Sequence, residues 1–446
     1  MITVIHLPVS YLPWTVGGKE IFTHSLAKAQ ASQVIEPTIA IHQDRNGTQS
    51  IGTHQYEGIP VEVMPSLMGT TTRRAVYGCL PDAAPGFEQL LQQKHPNIVH
   101  FQDFSVGANL LHMRAAKAAG CGIVLTYHSP GQVCTQRSLL YRGQSVCDGR
   151  LDEQRCTRCR LGVLGVPEWL VSGIGRIGSL GFPVDTKNRL GRAMTVRATV
   201  QLFQQAWEEC ISLVDRFTVH ADWCAELLLT NGVPPEKLVM VRSGWHGTAA
   251  PVADQEGSRQ SHGEPLRVAF VGRADPVKGL HVLIDAVRSL PQSLPIEVGF
   301  FGPYWSEAYG VGLARQVRGD GRFQTPEQLA PTDLMQRLAA YDVCVVPSLW
   351  LETGPLVVLE AFAAGLPVVG SRLGGIAELV SDGQDGLLFE PGNAAELATC
   401  LRHLADEPAL LERLRSGIRQ PRTMADVARE MADLYRELID EGTQTA

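Results

Sequence analysis

A chain of 446 residues is too long for a single hydrophobic core and is of a length for two or three domains. With 44% apolar and 19% charged residues, and no low-complexity tract, the composition excludes a disordered or fibrous chain. The formal charge of −7 is unevenly spread, because residues 131–200 carry eleven Lys or Arg against five Asp or Glu. Such a block suits an anionic ligand, phospholipid headgroups or an acidic acceptor, and equally a solvated face; no reader motif accompanies it that would point to nucleic acid.

The opening run MITVIHLPVSYLPW lacks a basic leader region and soon meets Pro8 and Pro13, so residues 3–7 are predicted as a first strand and the chain is expected in the cytoplasm. Gly17 and Gly18 follow, before a helix whose Ile21, Phe22 and Leu26 mark a buried face. Paired glycines let a backbone approach a phosphate or sugar closely, and on their own they are also a plain turn signal. Further strands are predicted at residues 97–101, 123–127, 216–220 and 238–241, with His128 ending the third of the five. A histidine at such a place is as readily structural as functional.

Cys134, Cys147, Cys156 and Cys159 come next, separated by twelve, eight and two residues. Four thiolates would complete a tetrahedral structural zinc site; an iron–sulfur cluster or metal-free thiols are the alternatives, disulfides being disfavoured in a reducing compartment. Four thiolates leave no position for water, so the expected role is shape rather than catalysis. Residues 161–184 are apolar but interrupted by Pro167, Glu168, Arg176 and several glycines. They are a poor candidate for a membrane-spanning helix, which leaves contact with a membrane surface open.

Residues 247–265, rich in Gly, Pro, Ser and polar side chains, read as a linker between domains. Beyond them strands are predicted at 266–271, 296–301, 343–347 and 367–370. Continuous apolar strands alternating with helices imply parallel sheets covered on both faces, hence two Rossmann-like, doubly wound α/β domains, at residues 1–246 and 266–420, with a ligand in the cleft between them. The first domain carries the cysteine-rich insertion at about residues 131–190. A last helix, 423–439, sets Met424, Val427, Met431, Leu434 and Leu438 on one stripe that covers the second domain or crosses back to the first.

The chemistry is most legible in the second domain. In VAFVGRADPVKGL a strand ends in glycine and presents Arg273 and Lys278, two cations suited to a pyrophosphate. In LWLETGPLVVLEAF, residues 349–362, Pro355 begins a helix and Gly354 admits a close approach, so the unpaired amides around Gly354 to Val357, Leu356 among them, form an anion site. Glu352 and Glu360 flank it within an apolar run. A buried carboxylate costs several kcal/mol unless it is partnered, so these are read as acceptors for sugar hydroxyls rather than as helix caps.

VGRADPVKGL, FFGP, YDVCVVPSLWLETGPLVVLEAFAAGLPVVGS and GGIAELVSDGQDGLLFEPGN together resemble the nucleotide-binding domain of family 4 glycosyltransferases, retaining enzymes with the two-domain GT-B fold. The matching stretches span most of residues 266–419. The resemblance implies that Glu352 faces the transferred sugar, that Glu360 binds ribose, that Arg273 and Lys278 bind pyrophosphate, and that backbone near Arg322, Phe323 and Gln324 reads the base. It also makes the Gly17–Gly18 loop meet the donor pyrophosphate and gives His128 a contact to the donor sugar. The stretch VRSGWHG departs from the family pattern, which puts a role for that loop in doubt.

The expectation is therefore a retaining hexosyltransferase using a UDP-, GDP- or ADP-sugar, without a catalytic divalent ion, in polysaccharide, glycolipid or glycoconjugate biosynthesis. Its acceptor would be a glycan, a glycolipid or a small molecule, with peripheral contact at the inner face of the cell membrane open. A GT-B-fold epimerase or phosphorylase, or a non-catalytic sugar-nucleotide-binding protein, are the alternatives.

Overall fold

The computed structural model describes residues 1–44, 46–67, 84, 86–176, 188–247, 264–329 and 331–445. It divides into two compact units, Met1–Arg242 with Met424–Ala446, and Ser243–Thr423. Most of the expected linker, residues 248–263, lies outside the described residues.

The first unit is built on an eight-stranded sheet. Its strands are β1 (Ile2–Leu7), β2 (Ile35–His42), β3 (Gly52–Tyr56), β4 (Ile59–Met64), β5 (Ile98–Phe101) and β6 (Gly122–Thr126), followed after a small separate hairpin, β7 (Leu140–Tyr141) and β8 (Ser145–Val146), by β9 (Arg216–Val219) and β10 (Leu238–Met240). The spatial order is β10-β9-β6-β5-β1-β2-β4-β3. All pairings are parallel except that of β3 with β4, which meet as a hairpin. β1 and β5 are apolar along most of their length because helices cover both faces of the sheet, as parallel pairing demands.

From β1 the chain builds outward through β2 on one side, then returns to place β5, β6, β9 and β10 on the other. The loops leaving β1 and β5 therefore diverge, and the crevice at that switch point is where a doubly wound sheet receives a ligand. Gly17 follows β1 and Gln102 follows β5.

The second unit is a five-stranded, all-parallel sheet of β11 (Leu266–Val271), β12 (Ile296–Phe301), β13 (Val343–Val346), β14 (Val368–Ser371) and β15 (Gly386–Phe389). The order β12-β11-β13-β14-β15 puts its switch point between β11 and β13. The loops after these two strands hold Arg273 and Lys278, and Glu352, respectively.

The helix Met424–Thr445 packs on the first unit. Met424, Val427, Ala428, Met431, Ala432, Leu434, Tyr435 and Leu438 join Val4, Phe22, Leu26, Ile35, Ile98 and Val124 in one buried cluster. Elsewhere in this unit a buried histidine pair fixes its own protons. His42 Nδ1–H donates to the Pro65 carbonyl at 2.7 Å, so His42 Nε2 accepts from His112 Nε2–H at 2.8 Å. His112 Nδ1 then takes the Asn109 amide at 3.3 Å, inside the capping box of the helix Leu110–Ala118.

Candidate functional site

In the second unit, β11 runs into a short 3₁₀ turn, Pro276–Lys278, that is N-capped by Asp275 and closed by Gly279. Gly279 has φ +68°, and a Cβ there would stand 1.8 Å from the Pro347 carbonyl oxygen at the end of β13. Only glycine lets the two loops approach this closely. The approach delivers Lys278 Nζ to Glu352 Oε1 at 2.7 Å, and Ser348 Oγ donates to the same oxygen at 2.8 Å. Burial pushes the Glu352 carboxyl up, but the Lys278 charge and these hydrogen bonds outweigh it and hold Glu352 below the ordinary glutamate value. It is ionised at neutral pH.

Arg273 lies on the rim, with its guanidinium 5.8 Å from the centre of the Tyr304 ring and only a loose 3.8 Å contact to Asp275. Behind Gly354, the helix Leu356–Ala363 begins at Pro355 with no side-chain cap and no acid in its first turn. Its positive end is thus not neutralised from within the helix, which suits an anion. Glu360, buried in that helix, has its carboxyl pushed up to about 7 by burial. His246 Nε2 stands 3.4 Å from Glu360 Oε1, while Trp245 packs on Leu359 and Ala363. VRSGWHG, where the family pattern is lost, thus supplies the residue beside Glu360.

The segment whose backbone was expected to read a base follows β12, and the Arg322 side chain there is turned into the protein. Its guanidinium is buried, donating to the Val287 carbonyl at 2.8 Å and to Asp320 at 2.9 and 2.7 Å. Phe323 stacks on Phe300 with ring centres 6.1 Å apart, and the Gln324 amide is used in a bond to Val298.

In the first unit, Gly17 caps the helix Gly18–Ala31. A Cβ on Gly17 would lie 2.7 Å from Glu20 Oε2, so the carboxylate leans over the glycine loop. Glu20 also accepts from Ser10 Oγ at 2.7 Å, and Lys19 Nζ binds Asp103 Oδ2 at 2.6 Å. The loop expected to meet a phosphate is therefore lined by two carboxylates and one ammonium, a set better matched to hydroxyls.

His128 sits beside these groups. Burial, with His220, Lys19 and His100 adding, holds its imidazole far below its ordinary value, so it is neutral. Its Nε2–H donates to Gln102 Oε1 at 2.8 Å, and Gln102 Nε2 donates to His6 Nδ1 at 3.1 Å. The chain continues through His6 Nε2–H to Gln30 Oε1 at 2.7 Å, Gln30 Nε2 to the Tyr435 hydroxyl at 3.3 Å, and that hydroxyl to His100 Nδ1 at 2.7 Å. His100 Nε2–H carries it to Thr126 Oγ1, 2.6 Å away, and the Thr126 hydroxyl in turn meets Thr218 Oγ1 at 2.6 Å.

Gln102, Asp103, Lys19, Glu20 and His246 were not singled out in the sequence. Two of the signals were present, in the polar Gln-Asp pair that ends the apolar strand IVHF and the Lys-Glu pair directly behind Gly17–Gly18.

The four clustered cysteines are free thiols, and the expected zinc or iron–sulfur site is not supported: among the described residues no group of three or more His, Cys, Asp or Glu is set to hold a metal ion. The thiols influence one another, since burial pushes Cys156 up to about 11 with Cys134, Cys147 and Cys159 contributing. The Cys147 thiol points at Asp148 and the Cys159 thiol at the Leu140 carbonyl. Residues 177–184 of the apolar segment lie outside the described residues, and no described helix is long and apolar enough to cross a membrane.

Comparison with known proteins gives a family match over both units. Residues 17–244 match the profile described as a glycosyl transferase 4-like domain, and residues 253–420 that of glycosyl transferases group 1. The D-inositol 3-phosphate glycosyltransferase of Corynebacterium kroppenstedtii is 30% identical over 262 residues, covering 53% of this chain and 56% of the other. D-inositol 3-phosphate glycosyltransferase 2 of Catenulispora acidiphila is 30% identical over 298 residues, 63% of this chain and 68% of its own. The chain spans about half the length of the first curated relatives it matches. The crystal structure of Anabaena Alr3699/HepE in complex with UDP has a TM-score of 0.62 at 17% identity, over 98% of this chain and 100% of the other, a likeness of fold.

Proposed function

Because the chain belongs to the glycosyltransferase family whose 4-like domain it matches over residues 17–244, we propose that it moves a hexose from a nucleoside diphosphate sugar to an acceptor hydroxyl with retention at the anomeric carbon. The observation that carries this is the Lys278–Glu352 pair, set beside an uncapped helix start at the switch point of the second unit. The name of the Anabaena complex, with UDP, supports a nucleotide ligand for the same fold.

In this reading the bond between the anomeric carbon and the diphosphate oxygen breaks as negative charge grows on the diphosphate. Arg273, Lys278 and the backbone N–H groups at Gly354 and Leu356, on either side of Pro355, stabilise that charge. The acceptor oxygen bonds to the carbon on the face the diphosphate leaves, and its proton passes to a diphosphate oxygen. Glu352 is ionised because Lys278 is beside it, so it accepts from sugar hydroxyls and lies favourably near a carbon gaining positive charge. Glu360 takes the ribose hydroxyls and His246 borders them; Phe323 flanks the base. A neutral His128 accepts a hydrogen bond from the donor sugar without repelling its developing positive charge. Gly17, Gly18, Glu20 and Asp103 belong to the hydroxyl-binding side.

The acceptor is a hydroxyl of a glycan, a glycolipid or a small molecule. The relatives' names make a phosphorylated polyol the first to try, and the arginines between Arg137 and Arg197 suit such an acidic acceptor or a membrane surface.

A screen of UDP-, GDP- and ADP-sugars for thermal stabilisation should find one that raises stability by about 2.7 kcal/mol at a hundred times its dissociation constant. With that donor, Arg273→Ala or Lys278→Ala should lower turnover at least about a hundredfold. Arg273→Ala is the cleaner variant, because Lys278→Ala also strands the buried Glu352 charge. Near-normal turnover in both would refute the cradle, and binding without transfer or hydrolysis would favour a silent sugar-nucleotide binder.

A further inference from the structure

The residue behind His128 is fully buried, and both ends of its amide are committed. Gln102 Oε1 can only accept, so the nitrogen it meets on His128, Nε2, must carry the proton. Gln102 Nε2 can only donate, so His6 Nδ1 must hold a lone pair. His6 is then protonated at Nε2, which is what the carbonyl of Gln30 requires at 2.7 Å. Two contacts thus agree on one tautomer of His6, and with it on which way the Gln102 amide faces.

Turning Gln102 alone would set an N–H against the His128 N–H and an oxygen against the His6 lone pair. Relieving both mismatches requires reversing His6, Gln30, Tyr435, His100 and Thr126, with the Thr218 hydroxyl beyond it, together, since each gives one hydrogen bond and takes another along the chain. The first five of these groups come from β1, β5, β6, the helix Gly18–Ala31 and the helix Met424–Thr445, all elements of one packed core.

We infer that Gln102 is a positioning residue that locks His128 in its Nε2–H tautomer, so that Nδ1 is the ring's acceptor. Given the glycosyl transfer proposed above, this presets which edge of the imidazole takes a sugar hydroxyl before the donor arrives. The wrong tautomer would present a donor at that edge and misplace the sugar.

The test has a readout that does not depend on activity. In protein labelled with ¹⁵N-histidine, His128 identified by its loss in His128→Gln, long-range ¹H–¹⁵N correlation should show a protonated Nε2 and an unprotonated Nδ1. A wild-type His128 protonated at Nδ1 would overturn the inference whether or not any donor is turned over. Gln102→Met removes the acceptor and should give mixed or Nδ1–H tautomers, with kcat reduced roughly a hundredfold and donor KM little changed. In its protonated form Gln102→Glu keeps a carbonyl oxygen facing His128 Nε2 and a hydroxyl donor facing His6 Nδ1, and should restore the Nε2–H signature and most of the turnover. A Gln102→Met protein with unaltered tautomer and turnover would equally overturn it.

Discussion

Glu352 and Glu360 differ by eight positions and by charge state, and the cause is one ammonium. Lys278 lies 2.7 Å from Glu352 and keeps it ionised, whereas burial pushes Glu360 up to about 7. For Glu360 the folded state binds its proton more tightly than the unfolded chain, whose carboxyl titrates near 4.5. Its ionisation therefore costs stability as pH rises through that interval, fully so above about 7. Glu360→Gln should leave stability unchanged at pH 4 and raise it at pH 8 by on the order of 3 kcal/mol. Urea denaturation at the two pH values checks this, and an equal effect at both would show that Glu360 is not held neutral. The sequence disclosed these carboxylates because charges in an apolar run demand a reason. It did not disclose Gln102 or His246, since a polar residue after a strand or a lone histidine in a loop has no distinguishing pattern until the fold sets its neighbour.

At the level of elements, most of the parallel strands were readable from continuous apolar runs, while β2, β4 and β15 were not among those expected, and β3 is short and mostly exposed. The order of strands, which creates both switch points, leaves no trace in local pattern. Nor does the way histidines on different elements meet. Burial lowers His6 and His42 to about 4, and His100, His112 and His128 are also held well below 6.5. As pH falls, the unfolded chain takes up these protons first. The stability they protect is complete above about 6.5 and is lost as pH drops towards 4, at roughly 1.4 kcal/mol per pH unit for each histidine involved. The urea midpoint of the first unit should fall steeply from pH 7 to pH 5, and less steeply when His42 and His112 are both replaced by Leu. Equal slopes in the two proteins would show that this pair remains able to take up protons when folded.

For the molecule as a whole, the path of the chain matters more than its composition. It leaves the first unit after Arg242, builds the second, and returns at Met424. The sequence showed the apolar stripe of the returning helix but not its destination, because a stripe specifies that a partner exists and not which one. Burying six large side chains, Met424, Val427, Met431, Leu434, Tyr435 and Leu438, contributes on the order of 10 kcal/mol as an upper estimate, comparable to the whole stability of a domain. A chain ending at Thr423 should lose protection from hydrogen exchange throughout β1, β5 and β6 while β11 to β14 keep theirs. Retained protection in β1 would show the helix to be dispensable.

That returning helix also dictates a schedule during synthesis. The strands of the first sheet leave the ribosome early, yet the surface that seals them, and the tyrosine that completes their row of imidazoles, is translated only after residues 243–423. The second unit, contiguous in the chain, can close on its own while the first waits with an apolar face uncovered. Until the helix arrives, that face is open to premature association.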